Sequence, residues 1–136
     1  MQHTDEFVAV ANTLASGKLP ENFSLDMKLW FDRDEPTQFH VECGYAGCAI
    51  GLHRYLYPES EMYMADRYLP VLKVGGKAVE LVEYHAVAKY FGLTFGETLW
   101  AFSAMSYPGY EDDSGISPAE VAERMFGLLH QHGVQR

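Results

Sequence analysis

The C-terminal segment SPAEVAERMFGLLHQHG constrains the fold more than any other part of the sequence. Ser117 and Glu120 have the spacing of a capping box, and Pro118 stands at the first helical position, where its missing N–H is not needed. The apolar residues that follow recur at the spacing of one helical face, and they are Val121, Met125, Leu128 and Leu129. The segment therefore predicts an amphipathic helix, which needs a core to cover its apolar face.

Three further segments predict helices. The segment 5–17 ends at Gly17, and its apolar residues at helical spacing are Phe7, Val10, Ala11 and Leu14. The segment EYHAVAKYF predicts a helix that ends at Gly92, and TFGE opens the next helix with the spacing of another capping box. We expect Trp100, on this last helix, to enter the core. Together with a helix after Gly44, the chain is predicted to contain four to five helices.

Two segments predict strands. Residues 23–31, FSLDMKLWF, alternate apolar and polar side chains, which is typical of one half-buried strand. Residues 70–82 contain two β-rich runs around Gly75 and Gly76, which predict a tight hairpin; alternatively, the second run leads directly into the following helix. The predicted fold class is α+β and mostly α-helical. It has a small two- or three-stranded antiparallel sheet within a single globular domain, residues 1–136.

Composition and charge exclude several classes of protein. A chain of 136 residues that is 48% hydrophobic buries a real core. The net charge is −9 and no cluster of three basic residues occurs, so direct nucleic-acid binding is not expected. No apolar run is long enough to span a bilayer, and the start of the chain lacks the pattern of a signal peptide. With only two cysteines, these features predict a cytoplasmic protein.

The segment VECGYAGCAIGLHRYL, residues 41–56, combines two cysteines with three glycines. It is expected to form a loop up to Gly44 and a helix from there to Tyr57. On such a helix four small residues share one narrow face, and they are Gly44, Gly47, Cys48 and Gly51. Each glycine inside a helix costs about 1 kcal/mol relative to alanine, so this face is predicted to allow close backbone packing, with Cys48 as a small buried hydrophobe.

The same segment raises the question of a metal site. His40, Cys43, Cys48 and His53 are metal-ligating residue types, but their spacing matches none of the common zinc patterns. A helix would also turn Cys48 and His53 away from each other. We therefore expect no metal and no cofactor.

A reactive thiol is the remaining chemical interpretation of this segment. Cys43 precedes a predicted helix start, where the helix dipole lowers the pKa of a thiol. His85 or His40 is a candidate general base for it, whereas the neighbouring Glu42 opposes thiolate formation. Cys43 and His85 are thus minority candidates for catalysis, and an enzyme is the less favoured class.

An acidic and aromatic segment is the best candidate for binding a partner. Tyr107 and Tyr110 flank a Pro-Gly turn and stand beside Glu111, Asp112 and Asp113. Tyrosine is common at the centre of protein interfaces, and carboxylates attract a basic surface. These five residues are predicted to form a partner-binding patch, the alternative being a plain solvated loop.

Four segments in this order, LDMKLWF, CGYAGCAIG, KYFGLT and ISPAEVAERM, resemble a family of small, largely uncharacterised phage and bacterial proteins with a Cys-Gly-x-x-x-Cys-Ala-x-Gly segment. The resemblance covers about residues 23–126, and this chain departs from it at Tyr45 and at the acidic residues 111–113. It implies an α-rich fold and a mobile-element setting, but no chemistry.

The functional expectation is a non-enzymatic acidic interaction protein. It would be encoded by a phage or mobile element, act in the cytoplasm of a bacterial host cell, and inhibit or modulate a host protein that has a basic surface. The alternative is a small cysteine-dependent enzyme that uses Cys43 with a histidine.

Overall fold

The computed structural model describes residues 1–21, 23–25, 31–33, 45–64, 70–74, 79–108 and 116–134. Within them lie five α-helices: α1 Thr4–Ala15, α2 Ala49–Leu56, α3 Glu83–Phe91, α4 Phe95–Phe102 and α5 Pro118–Gln131. Six short strands accompany them: β1 Phe23–Leu25, β2 Phe31–Arg33, β3 Tyr45–Gly47, β4 Tyr63–Met64, β5 Pro70–Val74 and β6 Val79–Val82. The predicted fold class, α+β and mostly helical, is confirmed.

The helix ends follow the local signals in the sequence. Ser117 and Glu120 form both hydrogen bonds of the capping box at the start of α5, and Thr94 and Glu97 do the same at the start of α4. Gly92 ends α3 in the left-handed conformation, with φ of 69°, which favours glycine because it lacks a Cβ. These predicted helix boundaries are confirmed.

The core lies where the apolar faces of the helices meet. α1 packs chiefly against α5, and the buried face of α1 consists of Phe7, Val10, Ala11 and Leu14, as predicted. Phe7 is completely buried and contacts Phe91 and Phe102 in edge-to-face geometry, with ring centroids 5.2 Å and 6.0 Å away. Such contacts add to the hydrophobic stabilisation of the burial itself.

The second sheet contains the predicted hairpin. β5 and β6 pair antiparallel, with Val71 opposite Val82 at one end and Val74 opposite Val79 at the other. β4 pairs with the other side of β5 as a third antiparallel strand. α3 begins directly after β6, so the second run both forms a strand and leads into the helix. The turn at Gly75 and Gly76 lies outside the described residues.

The first sheet corrects the prediction of one strand over residues 23–31. β1 pairs parallel with β3, whereas β2 pairs antiparallel with β3 on its other side. β1 and β2 therefore run in opposite directions, so they are not parts of one continuous strand. The alternation of side chains is a local pattern and contains no information about the strand that each half pairs with.

Within the cysteine segment, residues 45–47 form a strand rather than the start of a helix. Gly47 is the last residue of β3, where it lies opposite both Leu25 and Phe31, and α2 begins only at Ala49, after Cys48. The predicted shared helical face of Gly44, Gly47, Cys48 and Gly51 is therefore wrong; Gly44 itself lies outside the described residues. Pairing with strands on both sides satisfies the backbone of β3, which outweighs a weak helix propensity. Cys48 is buried, as predicted.

Candidate functional site

The predicted partner-binding patch is described in part only. Tyr110, Glu111, Asp112 and Asp113 lie outside the described residues. Tyr107 is 2% exposed, and its hydroxyl donates a hydrogen bond of 2.5 Å to the carbonyl of Ala101. Burial raises the pKa of Tyr107 far above its usual value, against the smaller opposing effect of Arg124. Tyr107 is therefore buried, and its hydroxyl already has a partner within the protein, which corrects its place in the predicted partner-binding patch.

A cleft of about 480 Å³ nevertheless opens beside Tyr107, between α4 and α5. We call it the Trp100 cleft; it is lined by Trp100, Tyr107, Pro108, Glu120, Glu123, Arg124 and Gly127. Trp100 is 43% exposed, which corrects its predicted place in the core. The indole lies next to α5, since a Cβ at Gly127 would be in ordinary van der Waals contact with Cη2 of Trp100, at 3.6 Å.

Arg124 is held firmly in one wall of the Trp100 cleft. Its guanidinium carbon lies 3.8 Å from the ring centre of Tyr107 and 5.0 Å from that of Trp100, in cation–π contact with both. Its Nη1 donates hydrogen bonds to the carbonyl of Trp100 at 2.6 Å and to the hydroxyl of Ser106 at 3.0 Å. The cleft therefore presents an exposed indole beside an oriented positive charge.

A second cluster of polar side chains lies where α1, α2 and α3 meet. Oε1 of Glu6 accepts hydrogen bonds from Nε2 of His53 at 2.7 Å and from the hydroxyl of Tyr90 at 2.8 Å. The hydroxyl of Ser60, after α2, donates to the oxygen of Tyr90 at 2.9 Å. The ring of His3 stacks on that of Tyr90 at 3.8 Å. We call these five residues the Glu6 cluster.

The N-terminal residues are held in place near this cluster. The amide of Gln2 donates to the carbonyl of Phe91 at 2.7 Å. A side chain at Gly92 would lie 3.1 Å from that same amide, so the close approach depends on glycine. This contact keeps His3 beside Tyr90, where Nδ1 of His3 lies 3.5 Å from Oε2 of Glu6.

The protonation states in the Glu6 cluster follow from burial and hydrogen bonding. Burial lowers the pKa of His53, which is 1% exposed, and this outweighs the opposing effect of Glu6. Burial alone would raise the pKa of Glu6, but the hydrogen bonds from His53 and Tyr90 together with nearby histidine charge lower it. Burial, followed by the influence of Glu6, raises the pKa of Tyr90 to about 12. At neutral pH, an ionised carboxylate therefore accepts from two neutral donors.

A cleft of about 410 Å³ lies over this carboxylate. We call it the Glu6 cleft; it is lined by Glu6, Leu56, Tyr57, Pro58, Glu59 and Ser60. Most of these residues belong to the C-terminal end of α2 and the turn that follows. The Glu6 cleft and the Trp100 cleft share no lining residue.

The candidates for chemistry are not brought together in the described part of the chain. His85 is exposed, and its ring stacks on Phe95 with centroids 4.5 Å apart, while Cys43 lies outside the described residues. Among the residues that the structure describes, no three His, Cys, Asp or Glu side chains group as a metal site. Likewise, no described helix is long and apolar enough to cross a membrane.

The Glu6 cluster is not among the sites predicted from the sequence. Glu6 and His53 are 47 positions apart, and nothing local in the sequence pairs them. One signal was available, because His53 follows Ile50 by three positions and so shares the buried face of α2. A histidine on an apolar face needs a hydrogen-bond partner from another element.

Comparison with known proteins found no matching family model, curated protein or solved structure. The resemblance to small phage and bacterial proteins therefore stays a prediction.

The Glu6 cluster predicts how stability depends on pH. The folded-state pKa of His53 lies below its ordinary value of 6.5, so the unfolded chain binds this proton first on acidification. The free energy of unfolding should therefore fall as the pH drops below about 6.5, by at most about 1.4 kcal/mol per pH unit from this residue. The lowered pKa of Glu6 extends the loss to lower pH. Urea unfolding at a series of pH values measures the slope.

His53→Gln keeps an amide donor for Glu6 but does not titrate, so its slope between about pH 7 and pH 5 should be shallower than that of the wild type. His85→Gln is the matched control, because it removes an exposed histidine and should leave the slope almost unchanged. Equal slopes in the wild type and His53→Gln would contradict this assignment.

Proposed function

We propose that the protein is a non-enzymatic interaction protein that binds a protein partner through the Trp100 cleft. The observation that carries this proposal is an exposed indole beside an arginine that two hydrogen bonds and two aromatic rings hold in place. We further propose that a phage or mobile element encodes this protein. In the cytoplasm of the host cell it would inhibit or modulate a host protein that has a basic surface.

The residue types in the cleft support this role. Tryptophan and arginine, which Trp100 and Arg124 supply, are enriched among the residues that contribute most to binding at protein interfaces. Met105 is 75% exposed in the short 3₁₀ turn next to α4, and methionine adapts well to a binding surface. Because Arg124 is already ordered, binding would not have to immobilise it, which typically costs about 0.5–1.5 kcal/mol for such a side chain.

Charge supports a basic partner. The chain has 19 acidic and 10 basic residues, and Glu120 and Glu123 line the cleft. The acidic residues Glu111, Asp112 and Asp113 follow shortly after Pro108 in the sequence. An excess of negative charge accelerates the encounter with a positive surface and disfavours acidic competitors.

The alternative, an enzyme based on Cys43, gains no support from the described residues. His53 is engaged by Glu6 and His85 stacks on Phe95, and the described cysteine, Cys48, is 2% exposed. The enzyme stays a prediction of the sequence.

We expect Trp100→Ala to weaken binding to the partner by about 30-fold or more, which is the loss typical of a residue at the centre of an interface. The partner is captured from a bacterial host lysate with the wild-type chain, purified, and titrated by isothermal calorimetry. Phe95→Ala is the matched control, because Phe95 is also 43% exposed and on α4 but does not line the cleft. Equal affinities for the wild type and Trp100→Ala would overturn the proposed interface.

The same titration also tests the charge. Wild-type affinity should fall as salt is raised, and reversing Glu111, Asp112 and Asp113 to lysine together should remove most of this dependence by slowing association. An affinity that changes neither with salt nor in this variant would exclude a basic partner surface.

A further inference from the structure

We propose that the Glu6 cleft binds an alkylammonium group, with the carboxylate of Glu6 as its counter-ion. The ligand is the side chain of a lysine or a small free amine, since both present the same chemical group. This site is independent of the proposed partner interface, because it uses none of the residues of the Trp100 cleft.

The negative charge of Glu6 is not balanced by a permanent cation within the described residues. Its ion pairs within the described residues are both with histidines, His3 and His53. A histidine is not a permanent cation as lysine and arginine are, and burial lowers the pKa of His53 further. The carboxylate therefore keeps a full negative charge although its side chain is only 24% exposed. A carboxylate withdrawn this far from water is stabilised by a permanent cation.

The C-terminal end of α2 lines the cleft beside Glu6. Leu56 is the last residue of α2, and Tyr57 and Pro58 follow directly. The last carbonyls of a helix lack partners within that helix, and together they place about half a negative charge at this end. Burial raises the pKa of Tyr57, and the charges of Glu6 and Asp5 raise it further. Although Arg54 also stands in the last turn of α2, the charges that act on Tyr57 are those of Glu6 and Asp5, and these favour a cation beside it.

The two carboxylate oxygens of Glu6 differ in their contacts, and this difference favours an ammonium group over other cations. Oε1 of Glu6 already accepts two hydrogen bonds, whereas Oε2, within the described residues, lies beside Nδ1 of His3 at 3.5 Å. A guanidinium binds a carboxylate best through both oxygens at once, but an ammonium needs only one. A divalent metal ion needs more oxygen ligands than this cleft provides, as the absence of a three-residue metal group among the described residues also indicates.

The walls of the cleft suit the rest of such a ligand. Leu56 and Pro58 line the cleft with apolar side chains that suit a methylene chain. Tyr57 also lines it, and an aromatic ring attracts a cation that lies over its face. The hydroxyl of Ser60 is a polar group close to Glu6, to which it is linked through Tyr90. A volume of about 410 Å³ accommodates a four-carbon amine.

The test is an NMR titration of the full chain with n-butylammonium at about pH 8, above the ordinary pKa of histidine. The backbone amides of Tyr57, Glu59 and Ser60 should shift in a saturable manner. Butan-1-ol has the same chain without the charge and should produce no saturable shift. Glu6→Gln, which keeps an acceptor but removes the charge, should weaken binding by at least about tenfold.

Glu123→Gln is the matched control in the other cleft and should bind the amine like the wild type. If Glu6→Gln fails to fold, the wild-type comparison of butylammonium with butan-1-ol still decides: equal shifts overturn the site. Equal amine affinity in the wild type and a folded Glu6→Gln overturns it as well.

A parallel titration with N-acetyl-lysine amide identifies the source of the amine. Tighter binding of the lysine derivative indicates a protein ligand, and tighter binding of the free amine indicates a small molecule; either result supports the site, whereas saturation by neither overturns it. Trp100→Ala should leave amine binding unchanged, so that failure of this site and failure of the proposed partner interface are distinguishable.

Discussion

Replacing Glu6 with alanine is expected to lower the free energy of unfolding by about 3 kcal/mol. The carboxylate accepts hydrogen bonds from His53 and Tyr90, which are 1% and 4% exposed. Without it, the Nε2–H of His53 has no acceptor in a buried environment, and the hydroxyl of Tyr90 loses its acceptor too. A buried donor without a partner costs about 1–3 kcal/mol, and more when the lost partner carried a charge. Urea denaturation at neutral pH measures the change.

Two variants show that the loss comes from the hydrogen bonds. Glu6→Gln retains an oxygen acceptor and should lose only about 1 kcal/mol. Glu123→Ala removes an exposed carboxylate elsewhere and should stay within about 0.5 kcal/mol of the wild type. A double-mutant cycle with Tyr90→Phe should give a coupling energy of about 1 kcal/mol or more. Equal stability of Glu6→Ala and Glu123→Ala would show that the Glu6 cluster contributes nothing to the fold.

The helices could be predicted because their signals are local. The capping boxes at Thr94 and Ser117 and the glycine after α3 satisfy or end the backbone hydrogen bonds of their own helices. The buried face of α1 follows from a period of 3.6 residues alone. None of these features depends on a distant part of the chain.

The first sheet could not be predicted in the same way. β3 exists because β1 and β2 pair with its two sides, and its sequence, Tyr-Ala-Gly, has no strong preference for a strand. The opposite directions of β1 and β2 likewise follow from the way each strand pairs with β3. Both depend on contacts between segments that are far apart in the sequence.

The exchanged positions of Trp100 and Tyr107 show what hydrophobicity alone misses. The buried residues of α4 are Thr98, Ala101 and Phe102, which share one helical face, and Trp100 is out of phase with them by roughly half a turn. Tyr107 can be buried because its hydroxyl donates a hydrogen bond to the carbonyl of Ala101, near the end of α4. Helical phase was readable from the sequence, whereas the acceptor for Tyr107 was not.

The two clefts are complementary in their chemistry. The Trp100 cleft presents an aromatic ring and an oriented guanidinium, and the Glu6 cleft presents a carboxylate at the negative end of a helix. Each has its own positioning groups, so a substitution in one should leave ligand binding in the other unchanged. This independence is why the variants proposed for each cleft serve as controls for the other.

Phe7→Ala is expected to lower the free energy of unfolding by about 4 kcal/mol, because it leaves a cavity where three helices meet. Phe7 is completely buried against Phe91 and Phe102, and it adjoins Glu6 on α1, so that loosening α1 should also disturb the Glu6 cluster. Met105→Ala removes a large apolar side chain that is 75% exposed and should change stability by less than about 0.5 kcal/mol. Urea denaturation compares the two variants, and NMR shifts of the His53 ring report on the cluster in the folded fraction of Phe7→Ala. If both variants lost equal stability, the meeting of α1, α3 and α4 at Phe7 would not be the centre of the core.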